Sequence, residues 1–328
     1  NLTANGGTNI YDALLAGLAL PFNISRPKIM AFLTDGEPTV GTTNTATIIT
    51  GIRAANTLGV KIFVFGVGYD VNTILLDKIS SEQNGISDYV KPNENIETAV
   101  ATFYSKVANP MLANVQLNFG TMTVYDIFPP QLPDLSRGTQ LVVFGRYKNS
   151  GRIQLELTGR ISTQTVSYPF QVEFSSAGTD NQYIPVLWAT RKVGYLLDQI
   201  RLNGENKELV DEIKFLGKKY GIVTPYTSFL VTEDDIVVSP PPPTVSMDLR
   251  VESGVDAVTT SGEIQAMKEG DIAPPTQSLI TIKQVGGKTF YLRNGIWTDS
   301  VYKDNDPTEN YTYLSTEYFN LIQTNPGL

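Results

Sequence analysis

Two short apolar runs constrain the fold of the amino-terminal third. Residues 28–33 and 60–66, which contain Ile29, Met30, Phe32 and Leu33 and then Ile62, Phe63, Val64 and Phe65, have the nearly unbroken apolar character of strands buried on both faces. Between them Ile48, Ile49, Ile52, Ala55 and Leu58 recur at helical spacing. Strand, helix and strand at this length make a parallel βαβ unit, which commits the region to an α/β sheet. A short strand around Asp88–Val90 and an amphipathic helix with Ile96, Val100, Phe103 and Val107 on one stripe extend the pattern, and Pro110 ends it. Residues 1–109 are expected to hold parallel strands with their helices.

Open parallel sheets place ligand sites at the carboxyl ends of their strands. Thr34-Asp35-Gly36 closes the first apolar run, and Gly6-Gly7-Thr8 precedes a helical run. Thr8 offers a hydroxyl and Asp35 a carboxylate. A small hard cation such as Mg²⁺ takes about six oxygen ligands and retains waters, so this donor chemistry suits it. Each triplet also has a plain structural role: a threonine caps helices, and Asp-Gly after a strand makes turns.

Composition narrows the chemistry further. The chain has no cysteine, so neither a disulfide nor thiol redox chemistry is available. It has no histidine, which removes the commonest general base, zinc ligand and physiological pH switch. The sequence reads as a binding protein and not an enzyme. A net charge of -8 argues against nucleic acid as partner. The longest apolar run, Ala13–Phe22, is too short to span a membrane and is broken by Gly17 and Pro21. Asn-x-Ser/Thr sequons at Asn1, Asn23 and Asn310 are candidate glycosylation sites of an exported glycoprotein.

Past Pro110 the period changes to two. Val115, Leu117 and Phe119, then residues 141–144, 153–157 and 165–174, alternate between Gly- and Pro-rich gaps, the pattern of an antiparallel sandwich. Two helical stripes follow, Leu187–Leu202 and Lys207–Lys219, parted by Asn203-Gly204. Pro240–Pro243 form a stiff polyproline spacer. Beyond it, residues 279–284, 289–293 and 296–298, with Asn294-Gly295 as a hairpin turn, make a small meander. Such a meander is marginal alone, so Phe290, Tyr291 and Trp297 are expected to anchor it on something. The expected organisation is 1–109, an α/β unit of parallel strands and helices; 110–239, β-sandwich and helical pair; 240–243, spacer; and 244–328, a small β module.

Gly6-Gly7-Thr8 and Thr34-Asp35-Gly36, in this setting of strands and helices, resemble the von Willebrand factor A family. Pro130–Leu135, Gly138–Val143, Gly145-Arg146-Tyr147, Leu187-Trp188-Ala189, Gly194–Asp198 and Tyr220–Val231 resemble the inter-alpha-trypsin-inhibitor heavy-chain-like (VIT/VWA) family, as do Gly287–Leu292 and Asn294–Trp297. The resemblance implies the carboxy-terminal half of a doubly wound A domain. It also implies a metal ion-dependent adhesion site, in which Thr8 and Asp35 join an Asp-x-Ser-x-Ser loop around Mg²⁺, Ca²⁺ or Mn²⁺. Such a site captures an exposed carboxylate on a protein or matrix ligand, in a protein that is extracellular, on the cell surface or periplasmic. No Asp-x-Ser-x-Ser precedes Thr8. The expectation is that metal binds only when that loop is supplied, and that the amino-terminal half of the domain, with the VIT domain before it, acts as a partner in trans. The competing expectation is a structural subunit of an extracellular assembly whose metal site is not functional.

Overall fold

The computed structural model describes residues 6–23, 26–107, 110–136, 139–176, 183–227, 247–270, 282–285, 288–293, 296–302, 307–312 and 315–324. The first stretch alternates helix and strand: α1 (Ile10–Leu18), β1 (Ile29–Thr34), α2 (Thr45–Ala55), β2 (Lys61–Val67), α3 (Thr73–Glu82), β3 (Ser87–Val90) and α4 (Ile96–Val107). The three strands form one parallel sheet in the order β1-β2-β3, with Thr34, Gly66 and Tyr89 in register across it. Asparagine side chains cap three of these helices: Asn9 on α1, Asn44 on α2 and Asn72 on α3 each accept from a backbone N–H in the first turn.

The faces of the sheet are covered unequally. Ile62 and Val64 of β2 pack with Ile10 and Leu14 of α1, Ile48 and Ile52 of α2, and Leu75 and Ile79 of α3, and Met30 and Phe32 of β1 border the same cluster. On the opposite face Phe63 and Phe65 meet Phe103 of α4 at 4.7 and 5.2 Å between ring centroids. Helix α4 thus lies over β2, whereas β1 has Ala31 and Leu33 exposed, Leu33 to 44%. The expectation that residues 28–33 are buried on both faces is corrected: β1 is the end strand of the described sheet, and only one of its faces is covered.

Antiparallel structure follows, as β4 (Pro110–Asn118), β5 (Val124–Phe128), β6 (Leu135–Ser136), β7 (Phe144–Tyr147), β8 (Gly151–Ile161) and β9 (Gln164–Phe174). They make two sheets, β6-β4-β8-β9 and β5-β7. Strands β5 and β6 lie outside the runs picked from periodicity, while residues 141–143 precede β7 without pairing. The helical pair is α5 (Tyr183–Asn203) and α6 (Lys207–Tyr220). Helix α5 begins before Leu187 because Pro185 falls in its first turn, where no intrahelical donor is lost. Gly221 closes α6 in the left-handed conformation, at φ 67°.

A helix that periodicity did not reveal, α7 (Val255–Glu269), lies within the span expected to be a β module. Val258 packs in the first core, and Ile264 packs with Trp188, Val193, Leu197, Ile213 and Leu216 in a second core built on α5 and α6. At Gly194 of α5 the helices α5 and α7 approach closely, since a Cβ there would lie 2.8 Å from Met267 Cβ. The carboxy-terminal strands β10 (Ile282–Val285), β11 (Lys288–Arg293) and β12 (Ile296–Asp299) form the expected antiparallel meander, with β11 against α6, and α8 (Thr316–Thr324) follows. The prolines of the spacer and the Asn294-Gly295 turn lie outside the described residues. No helix among the described residues is long and apolar enough to cross a membrane.

Candidate functional site at the carboxyl edge of the sheet

The segment before α1 and the turn after β1 meet at the carboxyl edge. Thr8 is stitched to residues 39–40 by its backbone: its N–H donates to Thr39 Oγ1 at 2.9 Å, and its carbonyl accepts from the Thr39 and Val40 N–H groups at 2.9 and 3.2 Å. Gly7 permits this approach, because a Cβ there would fall 2.4 Å from Val40 Cγ2 and 2.6 Å from Thr39 Oγ1. Oγ1 of Thr8 reaches the turn itself and lies 2.9 Å from the point that a Cβ on Gly36 would occupy. Thr8 and the residue next to Asp35 are therefore neighbours in space.

The plain structural roles weighed for both residues belong to others. The α1 cap is Asn9, whose Oδ1 accepts from the Asp12 N–H at 3.1 Å and whose Nδ2 donates to Asp12 Oδ2 at 2.7 Å. The Thr34-Asp35-Gly36 turn is closed by Thr34, whose buried Oγ1 donates to the Gly36 carbonyl at 3.0 Å and accepts from the Gly36 N–H at 3.4 Å. Neither the Thr8 hydroxyl nor the Asp35 carboxylate makes a hydrogen bond or ion pair among the described residues. Asp35 is exposed and Thr8 half-buried. One hydroxyl and one carboxylate, both hard oxygens, are thus left uncommitted on segments that meet at Gly36. They suit a hard cation in kind, as two of about six donors. Among the described residues no three acidic side chains cluster in a way that would hold a metal without them.

The sequence named Thr8 and Asp35 but passed over Asn9, Thr34 and Thr39, which hold them. Asn9 was legible as a helix cap; the Thr8–Thr39 bond spans 31 residues and carries no local signal. Of the sequons, Asn1 lies outside the described residues, whereas Asn23 and Asn310 are exposed.

Residues 2–105 match the model of the von Willebrand factor type A domain. Over 256 residues, 71% of this chain, the sequence is 28% identical to human inter-alpha-trypsin inhibitor heavy chain H4, of which it covers 27%. Heavy chain H2 of Sus scrofa is 25% identical over 70% of this chain, again covering 27% of that protein. A von Willebrand factor A domain-containing protein of Dictyostelium discoideum is 27% identical over 69% of this chain and 27% of its own length. The chain spans little more than a quarter of the length of these curated relatives.

Proposed function

Because this chain is a von Willebrand factor A-domain protein of the inter-alpha-trypsin-inhibitor heavy-chain-like family, we propose that it is a protein-binding module of an exported or surface protein, and that it binds through a divalent cation and not by catalysis. The observation that carries this reading is the pairing of the Thr8 hydroxyl with the Thr34-Asp35-Gly36 turn while Asn9 and Thr34 perform the capping and turn-closing roles. Thr8 and Asp35 would hold the ion. The remaining positions fall to water, to an Asp-x-Ser-x-Ser loop presented at this edge, and to a partner's carboxylate. A bound Mg²⁺, Mn²⁺ or Ca²⁺ supplies a compact positive charge that carboxylate oxygens satisfy. Charge balance favours a bridging ion too. With a net charge of -8 the chain repels an acidic partner unless a cation stands between them. The absence of histidine and cysteine leaves binding better supported than chemistry.

The lack, among the described residues, of a cluster of three acidic side chains that could hold a metal favours a second reading, a structural subunit whose site holds no metal. Calorimetric titration with MgCl₂, MnCl₂ and CaCl₂ separates the two, run on the chain alone and with a peptide containing Asp-x-Ser-x-Ser. The binding module gives a saturable heat that Asp35→Ala abolishes. No heat under either condition leaves the structural subunit.

A further inference from the structure

Away from Thr8 and Asp35, one buried carboxylate ties four parts of the chain together. Asp77 of α3 is 6% exposed and accepts from four side chains. These are Arg201 of α5, Ser261 of α7 at 2.7 Å, Tyr89 of β3 at 2.6 Å, and Ser87 of β3. An ionised carboxylate has about four lone-pair sites, so Asp77 is saturated. Arg201 also donates to Thr73 Oγ1, and its buried Nε has no partner among the described residues. Residues 252–254, which lead into α7, lie along the loop before α3: the Thr73 N–H donates to the Glu252 carbonyl at 2.7 Å, Asn72 Nδ2 to Glu252 Oε2 at 2.7 Å, and the Gly254 N–H to the Tyr69 carbonyl at 2.8 Å.

The cluster approaches the candidate site through the Tyr89 ring. Tyr89 stands beside Gly66, where a Cβ would lie 2.6 Å from Tyr89 Cδ1. Gly66 is in register with Thr34, the residue before Asp35. We propose that the Asp77 cluster is a latch through which docking of α5 and α7 sets the order of the sheet's carboxyl edge, from the 66–73 loop across to Thr34–Gly36. Its junction is polar where an apolar contact would be simpler, and a buried charge pair is weak evidence for added stability, so the role proposed for it here is orientation. Burial, with the Asp77 carboxylate next in effect, pushes the Tyr89 ionisation well above its usual value and keeps the ring a donor. As a consequence that rests on the metal-binding reading, releasing the latch weakens divalent-ion binding at Thr8 and Asp35.

Amide hydrogen exchange on the whole chain tests the latch without reference to metal. Ser261→Ala and Tyr89→Phe remove donors to Asp77 from opposite sides, and Ile213→Val, in the second core, serves as a control of similar modest destabilisation. A lost hydrogen bond to a charged group is worth enough for roughly tenfold faster local opening. The expected result is exchange faster by about that factor at residues 66–73 and 34–36 in both variants and unchanged there in the control. Faster exchange confined to α7 in Ser261→Ala, with 34–36 and 66–73 as in wild type, overturns the latch. If one variant does not fold, the other decides. Absence of any Mg²⁺ heat in the wild type would refute the metal reading alone, because the exchange pattern still confirms or overturns the latch.

Discussion

At Gly36 the lack of a side chain sets the geometry beside Asp35. A methyl group there would sit 2.9 Å from Thr8 Oγ1, closer than real Cβ contacts allow. Thr8 would have to turn away, and a threonine is stiff at χ1. Leaving a rotamer well by about 30° costs roughly 0.5–1.5 kcal/mol, so Gly36→Ala is expected to weaken Mg²⁺ binding by up to about tenfold. Titration calorimetry checks this beside a melting curve that moves by only a few degrees. An unchanged affinity would mean that the hydroxyl of Thr8 takes no part. At this scale the sequence supplied the residue types and their spacing, and so named Thr8 and Asp35. It could not assign their roles, because Thr8 could have capped α1 and Asp35 could have closed the turn until Asn9 and Thr34 were seen to do so.

Among the elements, one substitution at two glycines of the α5–α7 pair should act with opposite sign. Gly→Ala inside a helix gains about 0.5–1 kcal/mol from backbone entropy. At Gly262, exposed on α7, a Cβ meets nothing within 4 Å, and the gain should appear in full. At Gly194 it meets Met267 Cβ at 2.8 Å and Lys268 N at 3.0 Å, atoms fixed to the α7 backbone. Overpacking of this kind costs about 1–3 kcal/mol and outweighs the propensity gain. Denaturant melts should show Gly262→Ala stabilised and Gly194→Ala destabilised; equal shifts would place α7 further from α5 than it stands. Helix α7 itself was hard to read because its buried residues are Ala257, Val258, Thr260, Ser261 and Ile264, and small polar side chains blur an apolar stripe. The outer strand β9 illustrates the reverse case. Its alternation was plain, and Pro169 within it suits an edge, where a missing N–H breaks no ladder bond and discourages further pairing.

For the whole molecule, α7 decides how far its parts are independent. The sequence placed a stiff spacer at the prolines and a small β module in residues 244–328 beyond it. Val258 and Ile264 instead pack in different cores, and Lys268 pairs with Asp198 of α5 at 2.7 Å with both side chains largely buried. A chain ending at residue 246 would leave both cores short of apolar cover and Asp77 without Ser261. Losing one large core side chain alone costs about 2–5 kcal/mol. The shortened chain is therefore expected to melt well below the full chain, with residues 6–107 and 183–227 no longer unfolding together. Calorimetry with circular dichroism checks this, and a melt indistinguishable from the full chain would return the boundary to the prolines.

What the sequence determined by itself was whatever depends on local periodicity and residue chemistry. Apolar runs of period one gave the parallel sheet, period two gave the antiparallel strands 151–161 and 164–174, and helical spacing gave α2, α4, α5 and α6. The absence of histidine and cysteine bounded the chemistry. Only the tertiary structure decided that β1 is half uncovered, that α7 joins two cores, and that Asp77 gathers donors from β3, α5 and α7. Ser261 lies 184 residues from Asp77 and Arg201 lies 124 away. A polar side chain leaves no periodic trace of the partner it will meet, because its position is set by the packing of whole elements and not by its neighbours in the chain.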